Sequence, residues 1–324
     1  MLYLIYRSIL LTLMKSTILV GGQAVIEGVM MRVPGAYATA VRKADGTIEL
    51  DYNKFISKVS NNSFYGLPIF RGMIHLFESM SIGYKTLEWS AKIAEPNQKT
   101  NKFLDIILTI ISLLFSLSLF VGVPLLVADL IQYYYLSENT FVFNIISGSV
   151  RIILFLLYLI LISYMSDIKR LFQFHGAEHK TVYNFESGDK LNIKNAHSFP
   201  KEHPRCGTSF IFIVMLVSII SYSVIDSLAV QMGVELTIVN RLLIHIPCLP
   251  LVAGFSYEVL KITAKYQNNI FFKILGFPGL ALQKITTQIP DEDQLEVAIK
   301  ALQHAFGDEI HKYEGKQFNA EAVG

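Results

Sequence analysis

The stretch that decides the fold is FNIISGSVRIILFLLYLILISYM, residues Phe143–Met165. It is long enough to cross a bilayer, because a transmembrane helix needs about 20 predominantly apolar residues. A single span must be helical, since lipid offers no partners for free backbone N–H and C=O groups. Three more stretches of this kind occur, at Phe103–Tyr133, Ser209–Val230 and Ile238–Ile262. The sequence therefore predicts an α-helical polytopic membrane protein with four transmembrane helices.

The composition of the chain agrees with this prediction. Of its 324 residues, 52% are hydrophobic and 17% are charged, whereas soluble domains have about 25% charged residues. The net charge of +2 is too small to indicate nucleic-acid binding. Two cysteines, Cys206 and Cys248, cannot form the disulfide framework of a secreted domain. We therefore expect the lipid bilayer, and no nucleic acid, as a partner.

The basic residues between the predicted spans indicate their orientation. The linker Tyr134–Thr140 contains no Lys or Arg. The segment between the second and third spans is rich in both, at Lys169, Arg170, Lys180, Lys190, Lys194, Lys201 and Arg205. Because cytoplasmic loops carry such an excess, we predict that both termini and the loop 171–208 are cytoplasmic. The four-helix bundle then covers residues 103–262.

Residues 15–102 predict a small cytoplasmic α+β region. Runs of strand-forming residues occur at Thr17–Val20, Ala24–Met31, Ala36–Arg42 and Thr47–Leu50. Asp45-Gly46, just before the last run, is a hairpin signal. An amphipathic helix is predicted over residues 67–91, with apolar residues three and four apart. This helix could lie on the membrane or on the sheet.

The segments outside the spans carry further helix signals. The second span is expected to continue as a helix over Ser166–Phe185 and to end near Ser187-Gly188. Asn192–Pro204 has few helix signals and predicts irregular structure. The apolar residues Met1–Met14 lack a signal-peptide cleavage site. They predict an interfacial helix, or else they precede a start at Met14.

Residues 263–324 predict two further elements. Phe271–Leu282 is too short to cross the bilayer and contains Pro278-Gly279, so we expect a re-entrant or interfacial segment. Pro290-Asp291 then opens a C-terminal amphipathic helix.

Residues His175-Gly176-Ala177-Glu178-His179 carry the strongest indication of chemistry. On a helix, the two histidines at i and i+4 point the same way and can reach one ion. His-x-x-Glu-His is the order found in inverted zincins, where the acid is a general base and not a ligand. The motif therefore predicts a Zn²⁺ site with Glu178 as the catalytic base.

Other chain segments offer the remaining ligands. A catalytic zinc takes three protein ligands and leaves one position for water. His203 and Cys206 are candidates, because they precede the third span at the level where His175 leaves the second. Glu258, near the cytoplasmic end of the fourth span, lies at that level too. Cys206 has a second interpretation, as a thiolate nucleophile activated by Arg205 and a histidine.

Ionisable residues also occur within the predicted spans, where they are functional candidates by default. Asp129, Asp226 and Arg241 lie near the outer edge, and pairing or snorkelling accounts for them. His245 lies beside the Pro247–Pro250 break, whose freed backbone carbonyls need partners.

Several blocks of sequence give the chain a specific resemblance to a known family. They are Gly21–Arg32, Phe70–Gly72, Phe174–Lys180, His203–Phe210, Pro278–Leu280 and Gln294–Ile299. On these residues the chain resembles the YqhQ family of bacterial membrane proteins, whose function is unknown and whose members are often labelled metal-dependent enzymes. The family pattern begins near Met14. The resemblance implies a bacterial inner-membrane protein and supplies no substrate.

Together these features predict a zinc-dependent hydrolase at the cytoplasmic face of the membrane. Its ligands would be the histidine pair with His203 or Cys206, and Glu178 would activate water. The alternative is a non-catalytic membrane assembly factor, in which the cluster is a structural metal clip or polar network and the amphipathic helices bind a protein partner. A transporter with His245 and Glu258 along an ion or solute path is a third interpretation.

Overall fold

The computed structural model describes residues 20–61, 63–96, 102–135, 139–204, 206–266, 269–313 and 315–318. The strands are β1 Gly21–Val25, β2 Gly28–Val33, β3 Ala36–Arg42 and β4 Ile48–Lys54. The helices are α1 Phe70–Ala94, α2 Lys102–Leu117, α3 Val123–Tyr135, α4 Thr140–Ser163, α5 Ser166–Ser187, α6 Ile193–Ser198, α7 Gly207–Gln231, α8 Ile238–Lys265, α9 Ile270–Thr286 and α10 Glu292–Phe306. Short 3-10 helices lie at Lys58–Asn61 and Gly307–Lys312.

The strands form one antiparallel sheet in the order β1-β2-β3-β4. The predicted hairpin at Asp45-Gly46 is confirmed, since it joins β3 to β4 and Gly46 has a φ of 84°. The single strand expected over Ala24–Met31 is wrong. A two-residue turn at Ile26-Glu27 divides it, and Val25 pairs with Gly28 across that turn. Of the expected strand Thr17–Val20, residues 17–19 lie outside the described residues.

Helices cover both faces of this sheet. One face packs on α5 and α10 through a core that includes Val29, Met31, Ala38, Phe174, Leu295 and Leu302. The other face packs on α1 through Val25, Met30, Tyr37, Val41 and Ile82. The amphipathic helix predicted over residues 67–91 is α1, which packs on the sheet and on α8 through a face that includes Gly72, Ile82 and Gly83. Met80 and Leu87 of the predicted apolar face are exposed. Burial on both faces accounts for the mostly apolar sequence of β3, in which six of the seven residues are buried.

Within the described residues, four helical stretches are long and apolar enough to cross a membrane. They are Phe103–Tyr134, Thr140–Ser163, Gly207–Gln231 and Ile238–Thr263, close to the bounds predicted from sequence. In the first, a turn of π-helix at Ser118–Gly122 joins α2 to α3. Helix α7 packs against α4, α8 and α9 and so lies at the centre of the group.

The loop expected between the second and third spans is largely helical. The continuous helix predicted across Ser163 is wrong, because Met165 is extended, with a ψ of 135°, and α5 starts afresh at Ser166. The predicted end at Gly188 is confirmed by its left-handed conformation, with a φ of 78°. The irregular structure expected over Asn192–Pro204 is wrong in part, because this stretch contains helix α6. The Asn192 side chain caps α6 by accepting from Asn195 N–H.

The last two helices lie within the C-terminal region 263–324. The stretch Phe271–Leu282 lies within α9, which packs against α7 where Gly279 meets Ser209. Helix α10 begins with a capping box, in which Asp291 accepts from Gln294 N–H and the Gln294 side chain accepts in return.

Candidate metal centre

Three of the predicted ligands, His175, His179 and Cys206, come together between α5 and the start of α7. One donor atom from each lies within 4.8 Å of the other two. His175 Nε2 is 3.2 Å from Cys206 Sγ, and the two imidazole centroids are 4.5 Å apart. His179 and Cys206 are buried, whereas His175 is partly exposed. This group is called the histidine site below.

Helix geometry and one glycine place the two imidazoles. His175 and His179 are one helical turn apart on α5 and so project from the same face. Between them, Gly176 allows the chain after α9 to cross very closely. A Cβ at Gly176 would lie 2.0 Å from the Gln288 carbonyl oxygen, and Gln288 N–H donates to Phe172 O at 2.8 Å. A glycine that costs helix stability is therefore required for packing.

Backbone carbonyls set the tautomer of both histidines. Nδ1 of His175 lies 2.8 Å from Thr286 O, and Nδ1 of His179 bonds to Lys201 O. Because a carbonyl can only accept, each Nδ1 must carry a proton, which leaves each neutral Nε2 with a free lone pair. Burial also lowers the pKa of His179, which favours its neutral form. Both rings are thus held in the form that binds metals.

Cys206 reaches the histidine site from the position just before a long apolar helix. It is the N-cap of α7, and its sulfur accepts from Thr208 N–H at 3.4 Å. The turn before it is clamped by Gln283 of α9, which accepts from His203 N–H at 2.6 Å and donates to His203 O at 2.8 Å. Helix α9 therefore fixes the position of the thiol.

Glu178 lies beside the metal-ligand atoms. Its carboxylate Oε2 is 3.5 Å from His179 Nε2, and the residue is only 5% exposed. Strand β1 covers it through Gly22, where a Cβ would come within 2.8 Å of Glu178 Cγ. A buried carboxylate next to convergent donors could accept a proton from a water molecule held there.

His203 lies next to the histidine site but is not part of the donor group. Its ring is 4.3 Å from the Tyr183 ring, and its Nε2 is 3.4 Å from Glu186 Oε2. Burial lowers the pKa of His203 to about 4, against the opposing charge of Glu178. Between the two alternatives for the third ligand, the structure brings Cys206, and not His203, to the two Nε2 atoms.

Glu258, the remaining predicted ligand, lies outside the donor group. Both of its oxygens bind the Arg71 guanidinium, with Arg71 Nε donating at 2.7 Å. Glu258 also accepts from Ile69 N–H at 3.4 Å. This bidentate pair joins α1 to α8, so the carboxylate is already occupied by a cation. Arg71 is the partner that sequence reasoning missed.

The histidine site opens on a cavity of about 920 Å³. His175, Glu178, His179 and Cys206 line one wall, with the first turns of α7. The remaining wall comes from β1, β2, α1 and the segment before α1. Cavities of this volume commonly hold small ligands, with a few polar groups among apolar lining residues.

Comparison with known proteins places the chain in a family. The family described as "Protein of unknown function (DUF1385)" matches residues 67–308. The chain belongs to the DUF1385 family. "Uncharacterized protein YqhQ" of Bacillus subtilis (strain 168) is 33% identical over 298 residues, which cover 87% of this chain and 90% of that protein. The resemblance inferred from the sequence blocks is therefore confirmed. No solved structure matches the chain.

Proposed function

We propose that this DUF1385 protein is a metal-dependent hydrolase at the cytoplasmic face of a membrane. His175, His179 and Cys206 would hold Zn²⁺, and Glu178 would be the general base. The observation that carries the proposal is the convergence of two carbonyl-oriented imidazoles and a thiol, beside a buried carboxylate, at the wall of a cavity.

The donor set suits a zinc ion. Zinc–ligand bonds of about 2.0–2.3 Å in a tetrahedron separate the ligand atoms by roughly 3.3–3.8 Å. The 3.2 Å between His175 Nε2 and Cys206 Sγ is close to that range. Three protein ligands leave a fourth position open, as catalytic zinc sites require. When bound, the ion would polarise a carbonyl and make water more acidic.

The chain's own residues would move the proton. Glu178 can take a proton from water on the cavity side and return it to the leaving group. Its neighbours His179 and His203 stay neutral at pH 7, because burial lowers the pKa of each. Glu178 is then the group beside the metal-ligand atoms that is suited to accept and return this proton.

The location follows from the apolar helices. Cys206 caps a helix that is long and apolar enough to cross a membrane, so the histidine site would lie at the membrane surface. The excess of Lys and Arg in residues 171–208 favours the cytoplasmic side. A bacterial inner-membrane protein with both termini inside fits this arrangement.

Replacement of Glu178 by Gln tests the proposed base. The amide keeps the shape but cannot accept a proton at neutral pH, so Glu178→Gln should abolish complementation of a deletion strain while metal content is kept. Glu202→Gln, an acid in the same segment but outside the donor group, is the matched control. Full complementation by Glu178→Gln would contradict the hydrolase and leave a structural clip in a membrane assembly factor.

One observation favours a second candidate, a thiol nucleophile. His175 Nε2 lies 3.2 Å from Cys206 Sγ while Thr286 O orients the same ring, which is the arrangement of an activated cysteine. Cys206→His separates the two functions, because imidazole can replace a metal ligand but not a sulfur nucleophile. Retained metal and partial activity would support the hydrolase. Loss of all activity with metal retained would support the nucleophile.

A further inference from the structure

Strand β1 presents its edge to the cavity. Five consecutive residues, 20 to 24, line it. Because successive strand residues face opposite sides of a sheet, a consecutive run means that the edge itself borders the cavity. In the described residues β1 pairs with β2 alone, so its other edge has no strand partner there.

The hydrogen-bonding groups on that edge can be assigned from the hairpin. Val25 and Gly28 flank a two-residue turn and form a hydrogen-bonded pair. The pattern alternates along an antiparallel pair, so Gly22 and Ala24 direct their N–H and C=O groups away from β2. These groups have no backbone partner outside the ladder in the part of the chain that the structure describes.

The free edge runs past the proposed base. Gly22 touches Glu178, since a Cβ on this glycine would come within 2.8 Å of Glu178 Cγ. A Cβ on Gly21 would meet nothing within 4 Å. Two residues without side chains allow a second backbone to approach β1 closely.

Arg32 adds a positive charge to the same cavity. It pairs with Gly21 in the sheet and is partly buried, with its guanidinium 4.5 Å from the Phe55 ring centroid. Among the described residues, no carboxylate lies within ion-pair distance of it. The nearby acid Glu78 attracts Arg32 electrostatically, but its oxygens accept from Ser57 Oγ at 2.8 Å and from Lys58 N–H at 2.7 Å.

We propose that the cavity binds an extended peptide segment, which adds to β1 as an outer strand and places an acidic side chain or chain terminus at Arg32. Main-chain hydrogen bonds would provide the affinity, and Arg32 would provide the preference for an acidic group. The proposal rests on the proposed function and names its substrate class. Hydrolysis would add the water oxygen to a peptide carbonyl carbon, break the C–N bond and transfer a proton to the leaving amine.

Binding is tested on the detergent-purified full chain carrying Glu178→Gln, so that no cleavage is needed. The probes are fluorescein-labelled decapeptides of acidic, neutral and basic composition, followed by fluorescence anisotropy. We expect the acidic set to bind most tightly. Arg32→Gln should remove this preference and leave neutral peptides unaffected.

Ala24→Pro tests the strand edge, because it removes an outward N–H that β2 does not use. It should weaken peptide binding roughly threefold to tenfold, the value of one lost hydrogen bond. Ala24→Ser keeps the donor and is the control. Should Ala24→Pro fail to fold, decapeptides N-methylated at alternate residues make the same test from the ligand side.

Equal binding of plain and N-methylated peptides, or no peptide binding at all, would overturn the proposal. So would binding of a fluorescent phosphatidic acid without peptide binding, which would make the ligand an anionic lipid. Peptide binding without metal or cleavage would instead contradict the proposed hydrolase and leave the strand edge as a peptide-binding site. Bound metal and hydrolysis of an ester, without peptide binding, would contradict only the proposal that the ligand is a peptide.

Discussion

His245 and His179 are both buried histidines beside a carboxylate, one among the apolar helices and the other beside the cavity. His245 belongs to a cluster with Asp226, Arg241 and Asn144, here called the helix cluster. Asp226 is fully buried and accepts from Asn144 and His245 at 2.8 Å each, and it also pairs with Arg241. The side chains of α4, α7 and α8 thus converge on a single carboxylate, whereas Nδ1 of His245 and Nε of Arg241 have no hydrogen-bond partner among the described residues.

The histidine site differs in the surroundings of its unused nitrogens. Its imidazole N–H groups are used on backbone carbonyls, and its free lone pairs face one another and the cavity. The helix cluster does not line that cavity. Both clusters leave an imidazole nitrogen unused, so a binding site differs from a stabilising cluster of the same residue types in that its unused nitrogens converge with a thiol at a cavity.

The largest effect on stability is expected when the helix cluster is broken. Asp226→Asn leaves Arg241 buried without its anion, so we expect a loss of about 3–5 kcal/mol in the free energy of unfolding. Thermal unfolding in detergent measures it. Asp129→Asn, an exposed acid of the first apolar stretch, should change stability little. An Asp226→Asn protein as stable as the wild type would contradict a stabilising role.

The stability of the protein should depend on pH through His203, which lies next to the histidine site. The pKa of His203 is lowered to about 4 in the folded chain, against about 6.5 in an unfolded one. Between these values only the unfolded chain binds the proton, so stability falls as pH drops from about 6.5 to about 4. The loss is about 3 kcal/mol, or 1.36 kcal/mol per pH unit.

Unfolding in detergent across this pH range checks the prediction. His203→Gln removes the titrating group and should flatten this part of the pH profile. An unchanged slope in His203→Gln would assign the effect to other residues.

A smaller effect distinguishes two neighbouring glycines of β1. Gly22→Ala would place a Cβ 2.4 Å from Met30 O and 2.8 Å from Glu178 Cγ, whereas Gly21→Ala meets no atom within 4 Å. We expect Gly22→Ala to cost about 1–3 kcal/mol and to displace Glu178, with Gly21→Ala close to neutral. Unfolding and complementation measured on both variants test this. Equal behaviour of the two variants would mean that β1 does not hold Glu178.

Local patterns predicted the parts of the structure that depend on local physics. The four apolar stretches, the Asp45-Gly46 hairpin, the Gly188 cap and the Asp291 capping box each follow from residues close together in the chain. The His175 and His179 pair likewise follows from helical spacing alone.

The parts that sequence could not predict depend on distant contacts. The partner of Glu258 is Arg71, 187 residues away, and no spacing rule connects them. The carbonyls that orient the imidazoles belong to Thr286 and Lys201, and backbone groups leave no mark on residue identity. The break at Met165 has a local signal in Ser166 and Asp167, residue types typical of helix starts, but the apolar run before it hides that signal.

The central claim is tested most directly by the metal content of the detergent-purified full chain, measured by mass spectrometry after dialysis with Zn²⁺. We predict one tightly bound ion per chain in the wild type, in Glu178→Gln and in the control His197→Ala. We predict none in His179→Ala and a weakened site in Cys206→Ser, because three ligands are needed. A wild type without bound metal, or a His179→Ala variant that keeps its ion, would contradict the account.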